Sequence, residues 1–150
     1  MKPPILQQQS EENVQQDQLD GAGSSREALT IDQLLAESRG GRERVPASDL
    51  EREIASGALV VDTRPADQRD RDGELPGAVV VDRNVLEWRL DPSSPHRLPA
   101  AGDPGRRIIV VCNEGYSSSL AAHTLQRLGL PRATDLIGGF QAWTALRRAD

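Results

Sequence analysis

The 150-residue sequence holds a single cysteine, Cys112, and only two histidines, His96 and His123. One thiol cannot close a disulfide within its own chain, and so few nitrogen and sulfur donors cannot build a dense Cys/His metal cluster. Basic charge is also short, with 18 Lys and Arg against 23 Asp and Glu, a formal charge of -5 and a pI near 5.1. That balance supplies no basic field of the kind that nucleic acid or an anionic membrane attracts, so neither is an expected partner. No apolar run approaches the roughly 18 residues that span a bilayer. The opening Met1-Lys2-Pro3-Pro4 turns to glutamine and acid before a signal-peptide core develops, and the expected location is the cytoplasm.

What is present suggests one domain with an extension. Hydrophobic residues make up 37% of the whole chain, which is low enough to leave part of it outside a core. Residues 1–26 carry two glutamine-rich patches and four acids with few large apolar side chains, and read as a disordered tail. In residues 27–41, Leu29, Ile31, Leu34 and Leu35 fall near helical spacing, Thr30 and Gln33 resemble a capping box, and Gly40-Gly41 ends the segment. This short amphipathic helix can pack on the following domain or on a second copy of the chain. The oligomeric state is left open.

Over residues 42–150, strand-length apolar runs alternate with helix-like segments, the pattern of a parallel sheet with crossover helices. Strands are expected over 58–62, 78–81, 108–112 and 134–137, and helices over 47–56, 118–128 and 140–148. Leu59-Val60-Val61 and Ile108-Ile109-Val110-Val111 are unbroken and rich in β-branched residues, as strands covered on both faces are, and belong at the sheet centre. The helix after the third strand is expected to turn Ala121, Thr124, Leu125 and Leu128 inward and to stop at Gly129. Residues 91–106, rich in Pro, Gly, Ser and Asp, read as a long surface connection.

The chemistry concentrates after the third strand, where Cys112-Asn113-Glu114-Gly115-Tyr116-Ser117-Ser118 links it to a helix. Open α/β sheets bind ligands at the carboxyl ends of their strands, and the next helix aims its positive dipole end and free N–H groups there. A thiol so placed is readily ionised, and the surrounding N–H groups suit a thiolate, a persulfide or an oxyanion. Gly115 supplies the bend, and Ser117 or Ser118 can cap the helix or donate to sulfur. The alternative is that Cys112 is simply a small buried apolar residue. No base stands nearby, since His123 lies on the helix and His96 in the long connection, so a Cys-His protease mechanism has little support.

This loop resembles the active-site loop of the rhodanese-like sulfurtransferases. Two further stretches look like other signatures of that family, in its order and spacing. One is Leu59-Val60-Val61-Asp62-Thr63-Arg64 with Gly73-Glu74-Leu75-Pro76-Gly77-Ala78. The other is Leu136-Ile137-Gly138-Gly139-Phe140-Gln141-Ala142-Trp143. The resemblance covers residues 44–148 and implies an open parallel sheet of about five strands with helices on both faces. It implies that Cys112 takes a sulfane sulfur from thiosulfate or a persulfide, holds it as a persulfide, and yields it to a thiol or cyanide. Residues 113–118, Asn113 through Ser118, would bind the substrate, with no metal and no organic cofactor. The acceptor thiol, small or on a sulfur-carrier protein, has to come from outside. By the strand-end rule Arg83, Trp88 and Arg89 are second-tier candidates for the rim, with plain surface positions the reading favoured for Arg83 and Arg89, while Asp62 and Arg64 are expected to fix the strand end, and Gly138-Gly139 with Trp143 to build a turn and pack a helix.

Two departures matter. The loop has Glu114 and no cation before Ser118, which weakens the case for dianionic thiosulfate, and Glu74 stands where the family often has histidine. A phosphatase or arsenate reductase would need a guanidinium at the loop's end, where this chain has Ser118. A catalytically idle rhodanese-like module that binds a partner is the alternative of another class.

Overall fold

The computed structural model describes residues 27–149, so the tail expected over 1–26 lies outside the described residues. The compact unit of the described residues begins at Gln33, and residues 27–32 fall in a separate unit. Residues 27–32 are an exposed stretch that enters helix α1, Ile31–Arg39. In the unit that begins at Gln33, Leu35 and Ser38 of α1 are buried. Gly40 and Gly41 follow the helix, as expected.

Four strands build the sheet: β1 Leu59–Asp62, β2 Ala78–Val80, β3 Ile108–Val111 and β4 Ala133–Asp135. All pair in parallel, in the order β2-β1-β3-β4. The two unbroken apolar runs are the two central strands. Successive side chains of a strand face opposite ways, so each central strand feeds two cores. Leu59, Val61, Ile108 and Val110 join Leu86, Leu90, Ala121 and Leu125 on one face. Val60, Ile109 and Val111 meet Val45, Leu50, Leu75, Leu136 and Phe140 on the other.

About five strands were expected, and the described residues hold four. Beside β4, a single bridge pairs Val45 with Leu136, through Val45 N–H to Asp135 O at 3.0 Å and Ile137 N–H to Val45 O at 2.8 Å. Pro46 follows immediately, and with no N–H to donate it cannot extend a ladder.

The helices are α2 Leu50–Ala55, entered through a 3-10 turn at Ala47–Asp49, α3 Ala66–Asp72, α4 Leu86–Leu90, α5 Ser117–Arg127 and α6 Gly139–Ala149. Segments α3 and α4 were not expected. Helix α3 buries no residue, so it carries no apolar period, and α4 shows only Leu86 and Leu90. The inner face of α5 also differs from expectation. Ser118, Ser119, Ala121, Ala122 and Leu125 are buried, whereas Leu128 is 37% exposed because it stands at the helix's C-terminal end.

Candidate functional site

Cys112 is the first residue beyond β3, at the floor of a cavity of about 350 Å³ lined by Thr63, Arg64, Pro65, Gln68, Arg83, Cys112, Asn113, Glu114, Tyr116 and Ser117. Cys112 as a whole residue is 7% exposed, recessed but part of the cavity lining. Gly115 N–H donates to Sγ at 3.2 Å and Ser118 N–H at 3.4 Å. Sulfur thus caps the first turn of α5, a turn that has no side-chain cap at Tyr116. Gly115 reaches this shape with φ +86°, and a Cβ there would lie 2.6 Å from Gly138 N, so both conformation and space demand glycine.

Burial pushes the Cys112 thiol up, while the Ser118 and Ser117 hydroxyls and the Ser118 and Gly115 N–H groups pull it down. The donors win, and the thiol ionises below its ordinary range. The Ser118 hydroxyl has one proton and lies 2.8 Å from Asp135 Oδ2, so it serves sulfur or carboxylate at any moment. The backbone donors cannot turn away.

The loop is also held from behind. Cys112 O accepts from Phe140 N–H at 2.9 Å and Asn113 O from Gln141 N–H at 3.0 Å, so the first turn of α6 spends its free donors on the loop. Gly139, at φ +59°, makes this approach possible, because a Cβ there would overlap Cys112 O and Asn113 O. The glycine pair therefore builds the turn and also seats the loop. The Asn113 side chain accepts from Gln141 Nε2 at 2.9 Å.

Asp135, at the end of β4, is fully buried and accepts from Ser118 Oγ and Ser119 Oγ at 2.8 Å each, and from Arg44 Nε at 3.0 Å and Nη2 at 3.1 Å. Arg42 Nη2 approaches at 3.4 Å. Burial raises the Asp135 pKa, but the hydrogen bonds from Arg44, Ser118 and Ser119 and the Arg44 charge lower it further, so it remains a carboxylate. Gly115 O accepts from Arg39 Nη2 at 2.8 Å and Arg44 Nη2 at 3.0 Å.

Asp62 and Arg64 are both fully buried and paired side-on, Nη2 to Oδ2 at 2.9 Å and Nε to Oδ1 at 3.1 Å. Arg64 also donates to Gly73 O at 2.9 Å and stacks 3.6 Å from the centre of the Phe140 ring. Its Nη1 is buried with no hydrogen-bond partner. Arg64 thus fixes the strand end and lines the cavity as well.

Of the expected rim, Arg83 lines the cavity, paired with Glu87 at 2.9 Å. Trp88 and Arg89 do not reach it. Trp88 lines a separate cavity of about 460 Å³ with Glu87, Asp91 and Leu128, and Arg89 donates to His96 O at 2.7 Å. Arg83 stands in the 3-10 turn Arg83–Val85 that precedes α4, and Trp88 on α4 itself, and the two side chains line different cavities. The larger cavity holds no thiol and lacks the backbone donors found around Cys112. Glu114, Tyr116 and Ser117 are exposed at the mouth of the smaller one.

Sequence reasoning missed Thr63, Pro65 and Gln68 as lining residues, although the strand-end rule applied to β3 covers the adjacent end of β1 equally. It also missed Asp135, Arg39, Arg42 and Arg44, for which no local spacing gives a signal.

Residues 46–146 match the family model described as Rhodanese-like domain. Over 85 residues the chain is 33% identical to a Zea mays protein named adenylyltransferase and sulfurtransferase, a match covering 57% of this chain and only 17% of that relative. It is 28% identical over 103 residues to a thiosulfate sulfurtransferase of Pseudomonas savastanoi pv. phaseolicola, covering 69% of this chain and 88% of that one. Among solved structures, a Rhodopseudomonas palustris protein of unknown function, described as a possible tyrosine phosphatase, is similar with TM-score 0.72 and 31% identity, over 81% of this chain and 93% of that one.

Proposed function

The chain belongs to the rhodanese-like domain family, and on that footing we propose that it is a sulfurtransferase working through a Cys112 persulfide. The observation that carries this reading is the Cys112 sulfur at the cavity floor with two backbone N–H groups aimed at it. The thiolate attacks the outer sulfur of a donor. A bond forms between Sγ and that sulfur, the donor's S–S bond breaks, and the leaving group, a thiolate or sulfite, departs with the electron pair. An acceptor thiolate or cyanide then attacks the bound outer sulfur, and Cys112 leaves as thiolate. Because the chain has one cysteine, the acceptor is external. We read residues Asn113 to Ser118 as the cradle, with no metal or organic cofactor required, in the cytoplasm.

Donor choice follows from charge. Arg64 and Arg83 line the cavity, but each is paired with a carboxylate, Asp62 or Glu87, and Glu114 stands at the mouth. A persulfide group, with one charge at its reacting end, suits this cavity lining better than the compact dianion thiosulfate. A phosphatase reading is disfavoured by Ser118, whose hydroxyl meets Asp135 where a phosphate ester would need a bidentate guanidinium.

The test is the intact mass after incubation with glutathione persulfide or thiosulfate. A gain of roughly 32 Da that disappears in Cys112→Ala and on reduction is expected, greatest with the persulfide. No adduct with any donor would leave the idle partner-binding module as the better reading.

A further inference from the structure

The loop from Cys112 to Ser118 contains no cation, yet three guanidinium groups converge behind it. Arg39, at the end of α1, reaches Gly115 O at 2.8 Å and Ser119 Oγ at 2.9 Å. Arg42, with a side chain only 3% exposed, donates to Ser38 O, to Ser119 O at 3.2 Å and to Asp135 Oδ1 at 3.4 Å. Arg44 forks onto Asp135 and also holds Gly115 O at 3.0 Å. Among the described residues, Asp135 is the one carboxylate bonded to this group, so three positive charges meet one negative charge. The remaining charges facing the thiol are Arg64 beside Asp62, Arg83 beside Glu87, and Glu114 at the mouth. Each of those cations is matched by its own acid. The unbalanced positive charge in contact with the loop that carries Cys112 therefore sits behind it, on Gly115 and Ser119.

All three arginines precede residue 46, where the match to the family model begins. We propose that Arg39, Arg42 and Arg44 form a positioning clamp, built from the segment upstream of the family domain, that supplies the cationic field for Cys112 which the loop itself lacks. Two features support this role. The clamp grips the carbonyl of Gly115, one peptide plane beyond the N–H that meets sulfur, so it holds the turn in which that donor sits. Arg42 and Arg44 are also largely shielded from water, with side chains 3% and 15% exposed, and a charge in such surroundings is screened less than one at the surface. Arg39 lies 5.9 Å from the centre of the Tyr116 ring, which ties the clamp to the cavity mouth.

This inference deepens the persulfide reading, but its test does not use sulfur transfer. The rate of Cys112 alkylation by iodoacetamide is followed against pH in the full chain and in Arg39→Gln, Arg44→Gln and Arg44→Lys, each checked by far-UV circular dichroism and thermal unfolding. The Gln variants are expected to move the alkylation midpoint upward by about half a pH unit or more. Arg44→Lys, which keeps the charge and loses the fork, is expected to retain most of the midpoint while lowering the unfolding temperature. Midpoints unmoved in folded Arg39→Gln and Arg44→Gln overturn the proposal, as does Arg44→Lys shifting the midpoint as far as Arg44→Gln. If Arg44→Gln does not fold, the half-exposed Arg39 decides the matter by the same criterion. An absent sulfur adduct with the midpoints still displaced refutes the persulfide reading alone, and an intact adduct with unmoved midpoints refutes the clamp alone.

Discussion

Asp62 at the end of β1 and Asp135 at the end of β4 are both fully buried carboxylates at the same edge of the sheet, and both are held by arginine. They differ in where the arginine comes from. Asp62 finds Arg64 two residues on, and the pair needs little beyond the strand-end turn to form. Asp135 gathers Arg44 and Arg42 from 91 and 93 residues away, and Ser118 and Ser119 from 17 and 16 residues away. The first pair stiffens its own loop. The second fastens the loop that carries Cys112 to a segment on the far side of the chain, so losing it affects both the fold and the thiol. A buried charge whose partner is removed is more damaging than an absent pair, and the number of partners left stranded sets the scale.

Asp135→Ala is the strongest way to sharpen that contrast. It strands Arg42 and Arg44 with two buried hydroxyls, and a loss of about 5 kcal/mol in urea unfolding is expected. Asp62→Ala leaves Arg64 with the Gly73 carbonyl and the Phe140 ring, and about 3 kcal/mol is expected in the same measurement. Equal losses in the two variants would break the comparison. Ser119→Ala removes one charge-assisted hydrogen bond from Asp135 and the acceptor of Arg39 Nε, for about 2 kcal/mol.

The smallest effect is in acid. Because the native Asp135 pKa is depressed, its stabilisation is full above the unfolded value near 4 and fades as pH falls through the lower native value. The stability gap between the wild type and Asp135→Asn should therefore narrow below about pH 4, and a gap constant down to pH 2 would contradict the assignment.

The same contrast separates what was legible from what was not. Strands β1 and β3 stood out because burial on both faces makes Leu59–Val61 and Ile108–Val111 unbroken apolar runs, with Asp62 only at the end of β1, and α5 and α6 because each is long enough for its apolar residues to repeat. Helix α3 was invisible because none of its residues is buried. At the site, Cys112, the bend at Gly115 and the place of Asp62 and Arg64 at a strand end could be read from spacing, since each depends on residues within a few positions, whereas the bond between Asp62 and Arg64 was not read. Trp88 and Arg89 were placed at the rim by proximity in sequence, and a helix turned them elsewhere.

Local chemistry in the chain was enough to specify a parallel sheet with its two apolar strands at the centre, and one thiol at the start of a helix in a loop that demands glycine. The folded arrangement alone decided which cations stand behind that thiol, because turns and helix starts are built by neighbours, whereas Arg39, Arg42 and Arg44 meet Asp135 and Gly115 only once the intervening strands have closed the distance.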